Sequence, residues 1–212
     1  MPAAAPLELW LLRHGATAWA RSGRHTGRTD LPLLPEGEEE ARALEPLLAR
    51  YRFTAVLVSP LQRALRTCEL AGLAGQASPC DDLQEWDYGA YEGITTAEIR
   101  RSVPGWTVWS HPCPEGETLE AVEQRCRRVI AQAVALAAAP ISAGANPGPA
   151  AAPTRVALFA HGHLLRSLAG TWLGLGAAGG SVLALDTACI GVLGQEREQR
   201  VILRWNAPVQ WP

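Results

Sequence analysis

Leu7-Glu8-Leu9-Trp10-Leu11-Leu12-Arg13-His14-Gly15 and Val156-Ala157-Leu158-Phe159-Ala160-His161-Gly162-His163 are the stretches whose reading decides the fold. Each is a short apolar run, the first broken only by Glu8, and each stops at a His-Gly pair. A short continuous apolar run suits a strand buried on both faces, with helices above and below it. Open α/β sheets take their ligands beyond the carboxyl ends of such strands. If the two strands are neighbours, both imidazoles open on one crevice.

Outward from these anchors, Ala16 to Pro35 carries Gly23, Gly27 and Pro32 without a steady period and reads as a long ordered loop. Glu36 to Arg50 reads as a helix with Ala41, Leu44, Leu47 and Leu48 at helical spacing. Pro35 suits its start, while Pro46 predicts a kink or a shortening. Ala55 to Val58 is a second strand. A helix is then predicted to about Ala71, capped by Ser59, with Pro60 in its first position and Gln62 closing a capping box. Asp81 to Gly93 reads as a short strand leading into a loop, and Thr95 to Arg101 as a brief helix. Pro104 to Pro114 is rich in Trp and Pro; Trp106, Trp109 and His111 there either cap a pocket or pack locally. Glu117 to Ala138 is the longest helix, with Leu119, Val122, Cys126 and Val129 on one face and Arg125, Arg127 and Arg128 turned away from much of it.

Pro140 to Pro153 is almost all Ala, Gly and Pro and reads as a flexible surface loop within the domain. A helix from about His163 to Trp172 follows the second anchor. Ser181 to Leu185, Ile190 to Leu193 and Val201 to Trp205 read as late strands. The alternation predicts an α/β fold: one domain over residues 1–212, a three-layer α/β/α sandwich around a mixed, mainly parallel sheet. The apolar Ser181 to Leu193 region fits a homodimer contact at a sheet edge and a buried core strand equally well.

Composition narrows the function classes. The 212 residues are 48% hydrophobic and 19% charged, with a formal net charge of -2. That supplies one sizeable core and excludes general disorder. No block of like charge suggests a nucleic-acid arm or a membrane patch, and no stretch is long and apolar enough to span a bilayer. Five scattered cysteines, an odd number without a CxxC pair, argue against a disulfide scaffold and for a reducing, cytoplasmic setting. The start of the chain lacks the basic region of a signal peptide.

Arg13, His14, Arg63, Glu85 and His161 form the constellation capable of chemistry. Two strand-end imidazoles supply a nucleophile and a hydrogen-bond donor. Two guanidinium forks suit the oxygens of a phosphoryl group, and one carboxyl can hand a proton to a leaving alkoxide. Phosphoryl transfer needs this kind of set, positioning plus electrostatic stabilisation.

The same residues carry a family resemblance. Leu12-Arg13-His14-Gly15 resembles the signature of the histidine phosphatase superfamily, which includes the cofactor-dependent phosphoglycerate mutases. His25 to Leu33, Ser59 to Thr67, Leu83 to Gly93, Pro114 to Arg125 and His161-Gly162-His163 resemble its further motifs, in family order. The resemblance implies that His14 attacks phosphorus and carries the phosphohistidine. It implies that Arg13, Arg63 and His161 hold the phosphoryl oxygens, and that Glu85 is general acid and then general base. Thr26 and Gly27 would lie near the substrate, with His163 and Arg166 at the rim. No metal or cofactor is implied, because arginines and histidines supply the positive charge. An acidic-to-neutral optimum is expected for the first step, since Glu85 must then hold a proton.

Within that family the chain reads as a phosphatase acting on a small phosphorylated metabolite. Ala20 follows Trp19 where mutases carry an Asn, and the region before the second histidine is short. Arg21, Arg24, His25 and Arg28 are candidates for a second phosphate, which favours a sugar bisphosphate, or are solvent-facing loop residues. A phosphoglycerate mutase is the main alternative. A non-catalytic phosphate-binding module and a metal hydrolase using His14, His161, His163 and Asp87 are further ones; the latter lacks a ligand-spaced motif.

Overall fold

A computed structural model describes residues 6–138 and 153–209. The loop expected over 140–153 lies outside the described residues, apart from its last position. Six strands form one sheet in the order β3-β2-β4-β1-β5-β6. They are β1 (Leu7–Arg13), β2 (Ala55–Val58), β3 (Ala77–Pro79), β4 (Thr154–Ala160), β5 (Ile190–Glu196) and β6 (Gln199–Ala207). The first four are mutually parallel, while β5 runs antiparallel to β1 and forms a hairpin with β6. This is the mixed, mostly parallel sheet expected.

The two anchor strands are neighbours. Leu7 registers with Thr154 and Arg13 with Ala160. Their side chains alternate between two cores, one on each side of the sheet. Leu9, Leu11, Val156 and Leu158 point into one core with Val122, Cys126 and Val129 of α5 (Leu119–Ala138) and Leu164, Leu165 and Leu168 of α6 (Gly162–Trp172). Trp10, Leu12, Ala157 and Phe159 point into the other with Leu44 and Leu48 of α2 (Pro35–Leu48) and Ala64 and Cys68 of α3 (Gln62–Leu70). Each fully buried Leu contributes about 1.5–3 kcal/mol. Helices on both faces explain why the inner parts of β1 and β4, Leu9 to Leu12 and Val156 to Ala160, are apolar.

Several local expectations are corrected. Short helical pieces were not foreseen: α1 (Ala18–Ser22) and the 3₁₀ turns Asp81–Leu83 and Gly89–Tyr91 between β3 and α4 (Thr96–Ser102). α1 interrupts the stretch read as loop; Thr17 caps it through its side chain, and Gly23, at φ 71°, ends it. No strand starts at Asp81; Asp81–Leu83 is a 3₁₀ turn, and the strand is the preceding Ala77–Pro79. Ser181 to Leu185 is not a strand either, since Ala177–Val182 forms a 3₁₀ helix. β5 is interior to the sheet, between β1 and β6, so it offers no edge for a dimer. Pro46 does not end α2, which runs two residues past it; Arg42, whose carbonyl loses its helical partner there, is exposed to water. The α4 capping box forms between Thr95 and Glu98. Among the described residues no helix is long and apolar enough to cross a membrane.

Candidate active site

Residue 14 leaves the sheet where β1 ends, and the turn after it is held by backbone contact too close for a side chain. A Cβ on Gly15 would sit 2.2 Å from the Gly37 carbonyl oxygen, and one on Gly37 would sit 2.2 Å from that of Ala16. The Gly15 N–H donates to Thr67 Oγ1 and the Ala16 N–H to Glu40. The turn is thereby seated between α2 and α3, and His14 is fixed at its root.

The two imidazoles share one crevice. The His14 and His161 ring centroids are 5.2 Å apart, and both residues are buried. His14 Nδ1 lies 2.7 Å from the Gly15 carbonyl oxygen. A carbonyl only accepts, so Nδ1 carries the proton and Nε2 keeps its lone pair. His161 is the opposite tautomer. Arg63 Nε donates to its Nδ1 at 3.1 Å, so its Nε2–H donates to Ser59 Oγ at 2.8 Å. Arg63 is fully buried and its terminal nitrogens donate to the carbonyls of Thr26, Gly27 and Thr29. Those carbonyls are held by Glu92, which accepts from the Gly27 and Thr29 N–H groups.

Arg13 donates from NH1 to the Leu185 carbonyl, and its Nε is buried with no hydrogen-bond partner among the described residues. Glu85 is buried and accepts three backbone N–H bonds, from Trp86, His163 and Leu164. Two of these donors are at the start of α6, where the first N–H groups lack a helical partner.

Ser59 does not cap α3. Leu61 occupies that position, the helix starts at Gln62, and the Ser59 hydroxyl is turned to His161 instead. Arg125 does not face away from the α5 core either. It is buried, paired with Glu117 at 2.7 Å, and donates to the carbonyls of Asp82 and Gln84, which ties α5 to the loop bearing Glu85. Ser59, Thr67 and Glu92 are the residues sequence reasoning missed. Their partners lie far off in the chain, so no local pattern announces them.

A cavity of about 260 Å³ opens beside these groups. Arg13, His14, Glu85, Tyr88 and His163 line it together with Ala20, Arg24, Thr26, Thr96 and Arg166, while Arg63, His161 and Gly27 lie behind the lining. Arg21 and Arg28 are not brought into it: Arg21 pairs with Glu36, and Arg28 lies between Asp87 and Glu117. His25 lines the cavity but its Nε2 meets Thr96 Oγ1 at 3.2 Å. Trp106 packs on His25 and Trp109 on Trp86, while His111 bonds Ser110; none of the three lines the cavity. A larger open groove of about 510 Å³ runs beside α2 and α3, but its one arginine, Arg66, is neutralised by Glu38 and Glu69.

Burial holds the histidines neutral. The pKa of His14 is pushed well below 6.5 by desolvation and then by the Arg63 and Arg13 charges, against the Gly15 hydrogen bond. His161 is lowered by burial, Arg63 and His14, and His163 by burial and Arg166. His25 falls to about 4 by burial. Since the unfolded chain takes up these protons at the ordinary pKa, stability should fall as pH drops below about 6.5. Each histidine still neutral in the fold costs about 1.4 kcal/mol per pH unit. Thermal melts between pH 7.5 and 5 should therefore show a falling Tm; a flat or rising Tm would contradict the burial.

Residues 9–208 match the histidine phosphatase superfamily, branch 1. An acid phosphatase of Mycobacterium tuberculosis is 42% identical over 195 residues, covering 91% of this chain and 88% of that one. The sedoheptulose 1,7-bisphosphatase of Saccharomyces cerevisiae is 36% identical, covering 78% and 67%. Among solved structures, the open reading frame Rv3214 of M. tuberculosis superposes with a TM-score of 0.84 at 37% identity, covering 96% of this chain and 99% of that one.

Proposed function

The chain belongs to branch 1 of the histidine phosphatase superfamily and is a phosphatase, and from that premise we propose that it hydrolyses a sugar phosphate or bisphosphate through a phosphohistidine on His14. The observation that carries the reading is the pair of opposed tautomers 5.2 Å apart: a lone pair on His14 Nε2 and an N–H on His161. His14 Nε2 attacks phosphorus as the ester oxygen departs with a proton from Glu85, giving free alcohol and phosphohistidine. Glu85, now a carboxylate, takes a proton from water as that water's oxygen attacks, releasing orthophosphate and restoring His14 and the protonated acid. Arg13, which lines the cavity, holds an equatorial oxygen; Arg63 and His161 join it by exchanging a present partner, a backbone carbonyl and the Ser59 hydroxyl respectively, for a phosphoryl oxygen. Arg13 commits NH1 to the Leu185 carbonyl, which leaves further N–H groups of its fork for that oxygen. Thr26 and Gly27 shape the substrate side of Arg63.

A phosphate-release screen over sugar mono- and bisphosphates, phosphoglycerates and an aryl phosphate tests the reading. Conversion of 3-phosphoglycerate to its 2-isomer faster than phosphate release would replace it with the mutase reading.

Ser59 is a positioning residue in this scheme. Without its hydroxyl the His161 Nε2–H loses its acceptor. Ser59→Ala should lower kcat/KM about tenfold, the worth of one buried hydrogen bond. Ser59→Thr should restore most of the loss. Imidazole ¹⁵N shifts check the cause: a His161 signal unchanged in Ser59→Ala would remove Ser59 from the scheme.

A further inference from the structure

We propose that Arg24 and Arg166 form a second anion subsite on the cavity wall, which selects phosphomonoesters carrying another phosphate or carboxylate away from the scissile ester. The inference rests on the phosphohistidine reading, which commits Arg13, Arg63, His14 and His161 to the transferred group. Arg24 and Arg166 are then the guanidinium groups of the cavity lining that this group does not use.

Both are held in place and neither is ion-paired at contact distance, although the carboxylates of Glu98 and Glu85 lie near enough to act electrostatically on Arg24 and Arg166 respectively. Arg166 donates from Nε to the Gly180 carbonyl, and its guanidinium carbon lies 4.9 Å over the Trp109 ring. Gly180 makes this anchor feasible: a Cβ there would lie 2.7 Å from both the Arg166 backbone and the Trp109 ring. Arg166 is one turn beyond His163 on α6, and the two share Trp109 as a floor. Arg24 follows the left-handed Gly23, pairs its backbone with Thr95, and donates from NH1 to the Gly93 carbonyl. Among the described residues neither arginine has a carboxylate within 4.0 Å, whereas Arg21 and Arg28 on the same segment are both ion-paired. One anchored N–H on each leaves further N–H donors of a planar fork, the geometry that takes a carboxylate or phosphate.

The rest of the wall offers no competing anion. Glu85 is the one carboxylate in the cavity lining, and three backbone N–H groups hold it. Thr26 and Thr96 also line the wall, their hydroxyls engaged with the Arg24 carbonyl and His25 Nε2.

The test compares kcat/KM for fructose 1,6-bisphosphate, fructose 1-phosphate, fructose 6-phosphate, 3-phosphoglycerate, glycerol 3-phosphate and 4-nitrophenyl phosphate. The unaltered chain should prefer substrates with a second anionic group over counterparts bearing the scissile phosphate alone by about tenfold or more. Arg24→Gln and Arg166→Gln should each lower the kcat/KM ratio of substrates with two anionic groups to those with one about tenfold, as expected for a lost charge-assisted bond. Arg166→Lys keeps the charge above Trp109 and should retain part of the preference, which separates loss of charge from loss of packing. The bisphosphate and the carboxylate arms reveal which second anion the wall takes. No preference in the unaltered chain, or variants that lower every substrate by the same factor, would overturn the subsite while leaving the phosphatase reading intact. Failure of the unaltered chain to release phosphate from any of the six, the aryl ester included, would instead sink both.

Discussion

His14→Ala should abolish turnover, with kcat/KM falling on the order of 10⁴-fold or more for every ester. The size follows from geometry. Nδ1 is committed to the Gly15 carbonyl, so Nε2 is the one lone pair the ring presents. Burial and two neighbouring guanidinium groups keep that lone pair unprotonated in mildly acidic solution. Alanine leaves Arg13, Arg63 and His161 to bind the phosphoryl group but nothing to receive it. Binding should therefore survive better than chemistry: KM or a phosphate inhibition constant should move far less than kcat. Quenching turnover with base, under which a phosphoramidate N–P bond persists, should trap labelled protein from the unaltered chain and none from His14→Ala. Label retained in the variant would move the nucleophile elsewhere. The same burial sets the pH dependence. Phosphoenzyme formation should not decline between pH 7 and 5 through protonation of His14. A loss of the trapped species centred near pH 6.5 would mean that the imidazole titrates as if in water.

The parts of this site legible in the sequence are those where local chemistry and fold position coincide. β1 and β4 are apolar on both faces and end at His-Gly, so both are readable as buried strands with an imidazole at the carboxyl end; that they are neighbours, which brings His14 to His161, is what the structure adds. α5 and α6 were readable from their helical period. α1 was not: its five residues bury nothing, and its signal is only the Thr17 cap and the Gly23 stop. β3 escaped for the same reason, since two of its three residues are exposed. The supporting shell was illegible for a different reason. Arg125 looks solvent-facing because helical spacing sets it beside Arg127 and Arg128, yet its partners are Glu117 and carbonyls some forty residues away. Ser59 sits where a capping box is expected, and only the neighbouring strand explains why its hydroxyl turns to His161. Long-range hydrogen bonds leave no period in a sequence.

Glu85 should show its role through the leaving group. Glu85→Ala is expected to lose on the order of 10³-fold in kcat/KM on alkyl phosphates and far less on an aryl phosphate, whose phenolate departs without a proton. Alanine is the cleaner probe here. A glutamine would turn its NH₂ against backbone N–H groups that now donate to Glu85 Oε1 and Oε2, adding a clash to the loss of the proton. Removing the carboxylate also frees the His163 and Leu164 N–H groups at the start of α6, so some loss common to all esters is expected. The differential between alkyl and aryl substrates isolates the proton. The general-acid half of the cycle gives a steep dependence of the variant's rate on leaving-group acidity where the unaltered chain is shallow. The second half predicts a different symptom: with an aryl phosphate, phosphohistidine should accumulate in Glu85→Ala, because the same residue is then missing as base for the attacking water. An equal loss on alkyl and aryl esters, with no accumulated phosphoenzyme, would reduce Glu85 to a brace for the α6 N-terminus and leave the proton donor to be sought elsewhere on the cavity wall.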